Sequence, residues 1–172
     1  MVIEMTKEKD KYKEKIREED LFNMQNKSQF VCFELNSQEF GLKVENVVEV
    51  IPVPEVTSVV HTPEFIRGVI NLRGEIIVII DLKIFFSLPK TDITEKSKIV
   101  VTQFDYKTIG LIVDSVSQIE LLEEVTGDSI PATISGRIAE FLRGVAIKDG
   151  MPLMILNLNS ILSCEEFKEF EQ

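Results

Sequence analysis

Side chains able to do covalent or acid–base chemistry are scarce in this sequence. Its 172 residues include one histidine, His61, two cysteines, Cys32 and Cys164, and no tryptophan. His61 stands before Thr62-Pro63, a loop context, and no motif sets a nucleophile beside it. Two cysteines permit one disulfide but no disulfide scaffold, and both read as reduced, buried thiols. No Cys/His spacing makes a zinc site. No glycine-rich phosphate loop and no Gly-x-Ser-x-Gly elbow occurs. Acids outnumber bases, 29 to 19, yet no carboxylate pair has flanks that would make it an acid/base dyad. A small β-barrel enzyme working through acidic residues is the remote catalytic alternative. What remains is recognition chemistry. Arg73, beside Gly74, carries a planar five-donor fork suited to a carboxylate or a partner's backbone. Glu49 offers the opposite charge, and each has the plainer reading of a solvated surface group.

The formal charge of -10 disfavours nucleic acid as a partner, because binding to it is driven by counterion release onto cations. No stretch approaches the ~20 apolar residues that span a bilayer. The N-terminus is a charge run without the apolar centre of a secretory signal, so the expected compartment is the cytoplasm.

These groups must be positioned by short elements. Residues 1–28 hold seven acids and seven bases with almost no apolar stripe, which predicts a solvated, marginal helix or a disordered arm. The whole net charge therefore belongs to residues 29–172. From Phe30 onward short runs rich in Val, Ile and Phe recur: 30–35, 69–72, 76–82, 98–104, 109–113 and 151–156. Such runs between turn residues argue for an all-β barrel or sandwich. Asn36-Ser37 and Asp105-Tyr106-Lys107 read as hairpin loops, Arg73-Gly74 and Asp149-Gly150 as tight turns. Val44, Val47, Val48 and Ile51 fall at i, i+3, i+4 and i+7, which predicts a two-turn helix ending before Pro52. Asp81 is placed to cap a second short helix. Residues 160–172 read as an amphipathic C-terminal helix with Ile161, Leu162 and Phe167 inward.

The chain also repeats itself. Residues 65–82 superpose on 141–158 at an offset of 76, with seven of 18 positions identical, including a shared Phe-x-Arg-Gly-Val. Residues 41–50 match 110–119 at an offset of 69 through Gly41/Gly110, Leu42/Leu111, Val44/Val113 and Val47/Val116. The order is the same in both, so the chain reads as a duplication, first copy about 29–90 and second about 97–163. Each copy of about 65 residues is marginal alone, and the two are expected to pack together and leave a groove. Gly68 and Gly144 suit a bulge or close backbone approach. The copies differ at Glu49/Gln118, Arg73/Asp149 and Asp81/Asn157, and such asymmetries are where function is sought.

The string from Phe40 to Leu82 resembles the signature half of the CheW family of chemotaxis coupling proteins. The matching residues are Val44, Val47, Glu49, Val50, Pro63, Phe65, Gly68, Val69, Asn71, Leu72, Arg73, Gly74, Asp81 and Leu82, joined later by Gly110, Val113, Asp114 and Val116. Val78 departs from the pattern where proline is common, and the charged arm is longer than many members carry. The resemblance covers about residues 29–165. It implies a mainly β fold of two similar five-stranded, SH3-like β-barrel subdomains with a few short helices. It implies no enzyme activity and no cofactor. The role it implies is an adaptor coupling chemoreceptor cytoplasmic hairpin tips to the regulatory domain of the histidine kinase CheA, in receptor-associated arrays at the inner membrane face. Positions tied to coupling by the motif match are Val47, Glu49, Gly68 and Arg73, with Val44 and Val113 as candidate floor of an apolar groove. A scaffold of a non-chemotaxis two-component array is the alternative within the same class.

Overall fold

The computed structural model describes residues 26–171; the charged arm, except for its last three residues, lies outside them. Ten strands carry the fold: β1 (Lys27–Leu35), β2 (Gln38–Lys43), β3 (Val47–Pro52), β4 (Ile66–Leu72), β5 (Glu75–Asp81), β6 (Lys98–Phe104), β7 (Lys107–Val113), β8 (Ser115–Glu123), β9 (Leu142–Lys148) and β10 (Met151–Leu156). They form two five-stranded sheets, ordered β8-β1-β2-β10-β9 and β3-β6-β7-β5-β4. Neither order closes on itself, so each is an open, SH3-like barrel.

Four two-residue hairpins join neighbours, at Asn36-Ser37, Arg73-Gly74, Asp105-Tyr106 and Asp149-Gly150. All eight turn residues have φ between 49° and 84°, the geometry whose twist matches paired strands.

The repeats do not each build their own sheet. The first sheet takes β1 and β2 from the first copy and β8, β9 and β10 from the second; the other sheet is the converse. Each sheet is sewn together by one parallel pair, β2 with β10 or β5 with β7. Gly41 and Gly110, matched in the duplication, sit on these seams. A Cβ on Gly41 would stand 2.9 Å from Ile155 Cδ1, and one on Gly110 would stand 2.6 Å from Ile79 Cδ1.

Alternation along the strands sends side chains into three cores. Phe30, Cys32, Ala146, Leu153 and Ile155 fill the first barrel. Ile70, Ile77, Ile79, Ile99, Val101 and Ile112 fill the second. The opposite faces of both sheets supply one large shared core that includes Phe33, Phe40, Val100, Leu111 and Leu156. There the two phenylalanines of the repeated motif meet: Phe65 and Phe141 flank Phe85 with ring centroids 5.1 and 4.8 Å away.

The helices are brief. Asp81 caps α1 (Leu82–Phe85) by accepting from the N–H groups of Lys83 and Ile84. Asn157 accepts from Ser160 N–H at the start of α3 (Leu158–Ser163). The Asp81/Asn157 difference is thus one capping role filled twice, not an asymmetry of function. A one-turn α2 (Arg137–Glu140) precedes β9. The C-terminal helix expected over 160–172 is instead two pieces, α3 and α4 (Glu165–Glu171), broken at Cys164. Ile161, Leu162 and Phe167 are buried as expected. Arg137 holds α4 in place, pairing with both oxygens of Glu166 while its guanidinium lies 4.5 Å from the Phe85 ring centre.

The expected helix over 44–51 is a correction. Only Val44–Asn46 forms a 3-10 turn; Val47–Pro52 is the edge strand β3. Its burial alternates, with Val48 and Val50 exposed. Four β-branched residues among the five from Val47 to Ile51 favour that strand, and pairing with β6 decides the matter.

Lys83 is a buried cation that ties the two sheets. It pairs with Asp114 at 2.5 Å and donates to Thr91. Asp114 in turn accepts from Asn36 N–H at 2.8 Å, at the tip of the β1–β2 hairpin.

Candidate functional site

The two charges singled out from the sequence meet. Arg73 Nη1 and Nη2 donate to Glu49 Oε1 and Oε2 at 2.9 and 3.0 Å, a fork-to-fork pair. The Arg73 side chain is 75% exposed, whereas that of Glu49 is 21% exposed. Glu49 reaches the site from β3, where the register shift between Val47 and Glu49 makes Val48 a bulge. Arg73 reaches it from the β4–β5 turn at φ 53°. That left-handed conformation suits glycine and asparagine better than arginine. The turn is held by Asn71 Oδ1, which accepts from Gly74 N–H at 2.9 Å.

Beneath the pair lies a shallow recess of about 220 Å³ at the mouth of the second barrel, lined by Leu72, Ile77 and Val101 together with Glu75, Gln103 and Thr108, and by Val48 and Tyr106. Tyr106 is 96% exposed. The duplication supplies a comparison. At the mouth of the first barrel the equivalents of Leu72, Thr108 and Ile51 are Lys148, Glu39 and Glu120. These form an ion triad with Lys148 Nζ 3.2 Å from Glu39 and 3.5 Å from Glu120. Burial in that barrel pushes the Cys32 thiol up to about 11, against the smaller opposing effect of Lys148. One barrel mouth is thus plugged by charge, and the other is open, with apolar and polar side chains mixed beneath an exposed ion pair.

The other expected site residues lie elsewhere. Val47 is half-buried against the shared core. Val44 lines a separate depression with Ser28, Gln29, Lys43 and Glu45. Gly68 is buried in a β-bulge at φ 144°, and a Cβ there would stand 2.0 Å from Thr57 O, so it allows Thr57 to bridge β4. Val113 is fully buried in the shared core, so it forms no surface of a groove. Sequence reasoning missed Val48, Leu72 and Tyr106. A period-two reading of VVEVIP would have turned Val48 outward, but nothing in the sequence marked a hairpin tyrosine from the second copy.

Among the described residues no cluster of His, Cys, Asp and Glu is placed to hold a metal ion, and no helix is long and apolar enough to cross a membrane. A recess of mixed apolar and polar lining beneath an exposed bidentate ion pair is suited to seating a partner's side chains.

The family model described as CheW-like domain matches residues 29–166. The chain is 31% identical to the chemotaxis protein CheW of Klebsiella aerogenes, over 80% of this chain and 83% of that protein. It is 29% identical to the protein FrzA of Myxococcus xanthus, over 78% and 84% of the two. The crystal structure of the scaffolding protein TtCheW from Thermoanaerobacter tengcongensis superposes with a TM-score of 0.72 at 32% identity, covering 81% of this chain and 94% of that one.

Proposed function

The chain belongs to the CheW family of chemotaxis scaffold proteins, and from that premise we propose that it couples chemoreceptor cytoplasmic hairpin tips to the regulatory domain of the histidine kinase CheA. The observation that carries the reading is the Glu49–Arg73 pair over the open mouth of the second barrel. A helical receptor tip presents apolar and polar side chains together. Val48, Leu72 and Tyr106 would take the apolar ones, while Arg73 and Glu49 would hold polar groups of either sign. The pair is already formed in the free protein, so little side-chain entropy is lost on binding.

In this reading Val47 and Gly68 act from beneath. Val47 seats β3 on the shared core, and Gly68 lets Thr57 lie against β4, so both fix the strands that carry the contact residues. Because both barrels share one core, a contact at one barrel mouth is borne by the whole body. Receptor state would then bias the kinase by linkage. The kinase domain would bind another face of the same double barrel, and the adaptor would lie in receptor-associated arrays at the inner membrane face.

Calorimetric titration of the chain with a receptor hairpin fragment, and separately with the CheA regulatory domain, tests the reading. Saturable binding to both is the expected result. Binding to neither, by a folded chain, would remove the proposal.

A further inference from the structure

The duplication sets the two barrel mouths against each other residue by residue. Their floors match. Cys32 pairs with Gly41 and Val101 with Gly110, the matched glycines of the repeat, and Leu153 stands at the offset of 76 from Ile77. All four floor side chains are buried and uncharged. The layer above them differs. In the second barrel it holds Ile51, Leu72 and Thr108, and in the first Glu120, Lys148 and Glu39. The Lys148 side chain is 11% exposed, and those of Glu39 and Glu120 are 26% and 24% exposed. Around them Gln118 donates to Glu120, and Ser117, in the place of Val48, turns back to donate to Cys32 O at 3.2 Å. Apolar surface is not what this mouth lacks: Met151, opposite Lys148 across the β9–β10 turn, is 63% exposed.

Two carboxylates stand against one ammonium, so the triad carries a net charge of -1 and depends on the water at its open side. A partner whose side chains suit the second mouth would, on the first, strip that water from three half-buried ions and supply no charge in its place. Ions buried without compensation are strongly unfavourable. On the second mouth the same partner meets Glu49 and Arg73, a pair whose charges already balance. Discrimination between two like surfaces rests on such a penalty as much as on attraction.

We propose that Glu39, Glu120 and Lys148 are specificity-determining residues that keep the receptor tip off the first barrel. Each chain then takes one tip, at the second barrel, and its two similar ends are not interchangeable. The inference rests on the reading of the second mouth as the receptor contact.

The test is calorimetric titration of the full chain and two variants with a receptor hairpin fragment. The wild-type chain should bind one hairpin. Gln118→Glu with Asp149→Arg copies the Glu49–Arg73 clamp onto the first mouth but leaves the triad, and this variant should still bind one. Adding Glu39→Thr, Glu120→Ile and Lys148→Leu should raise the stoichiometry to two, with circular dichroism reporting the fold. Methyl NMR asks the same question of the unaltered chain: saturating hairpin should shift the Ile77 and Val101 signals and leave Leu153 in place. Two hairpins on the clamp-only variant, or one on the folded variant with all five substitutions, would overturn the proposal. So would a Leu153 shift as large as that of Ile77 in the wild-type chain. A wild-type chain that binds no hairpin would instead remove the receptor reading itself.

Discussion

Arg73→Asn separates the two roles an exposed arginine in a turn can have. Arg73 sits at φ 53°, a conformation that costs most side chains roughly 1–2 kcal/mol and asparagine much less. The substitution therefore recovers part of that cost. It also removes the pair with Glu49, which at 75% exposure of the arginine side chain is worth about 0.2–1 kcal/mol after solvent screening. These effects oppose each other. Stability should stay within about 1 kcal/mol, a Tm change of no more than roughly 2–4 °C for a domain of this size. Binding behaves differently, because a receptor tip over the recess would desolvate the guanidinium. Losing a contact of that kind costs about 2–5 kcal/mol, or roughly 30-fold to several thousand-fold in Kd. Thermal unfolding followed by circular dichroism and calorimetric titration with the receptor hairpin read the two quantities on one sample. Unchanged affinity with an intact fold would refute the assignment of Arg73 to the contact. A fall in affinity only in step with a large fall in Tm would show that Arg73 merely steadies the turn.

Further outcomes follow from the packing. Residues 29–93 and 94–172 expressed apart should each give poorly dispersed NMR spectra, because both sheets need strands from both halves; mixing the fragments should restore dispersion. Asp114→Ala strands the buried Lys83 ammonium and should cost about 3–5 kcal/mol, read as a drop in Tm. Gly68→Ala must push Thr57 off β4 and should cost about 2–4 kcal/mol, so any loss of binding should come with a lower Tm. The Glu166 and Glu124 carboxyls are held below the usual glutamate value, chiefly by hydrogen bonds from Arg137 and Lys43 respectively. Their stabilising contributions are complete above about pH 4.5 and are lost as pH falls through the lowered folded values. Glu166→Gln should therefore flatten the acid limb of the stability profile, as followed by urea titration from pH 3 to 6.

Strand positions and turns were readable because they are local. The runs 98–104 and 151–156 coincide with β6 and β10, and each two-residue turn stands where a short polar pair interrupts an apolar run. The duplication was readable too, since Gly41, Gly110, Phe65 and Phe141 do the same work in both copies. Strand exchange between the copies was not, because nothing local in β2 or β7 states which parallel neighbour it takes. The helix expected over 44–51 failed for a related reason. The valines fit both periods, and the pairing of β3 with β6 is a tertiary fact. At the site, Glu49 and Arg73 were found by type and by asymmetry, and the structure adds that they are partners. Val113 was expected at a groove by analogy with its neighbours in the motif, yet alternation along β7 turns it into the shared core. The plugged mouth of the first barrel could be read only once the fold had set Lys148 beside Glu39 and Glu120.

The central claim is that one double barrel holds receptor and kinase together. Co-sedimentation tests it most directly, with receptor hairpin fragments arrayed on vesicles, the CheA regulatory domain in solution, and this chain added or withheld. The account predicts that the kinase domain pellets with the vesicles only when the chain is present, and that Arg73→Glu abolishes this while the variant still binds the kinase domain. Kinase domain pelleting equally well without the chain, or failing to pellet with it when both binary complexes form, would contradict the account.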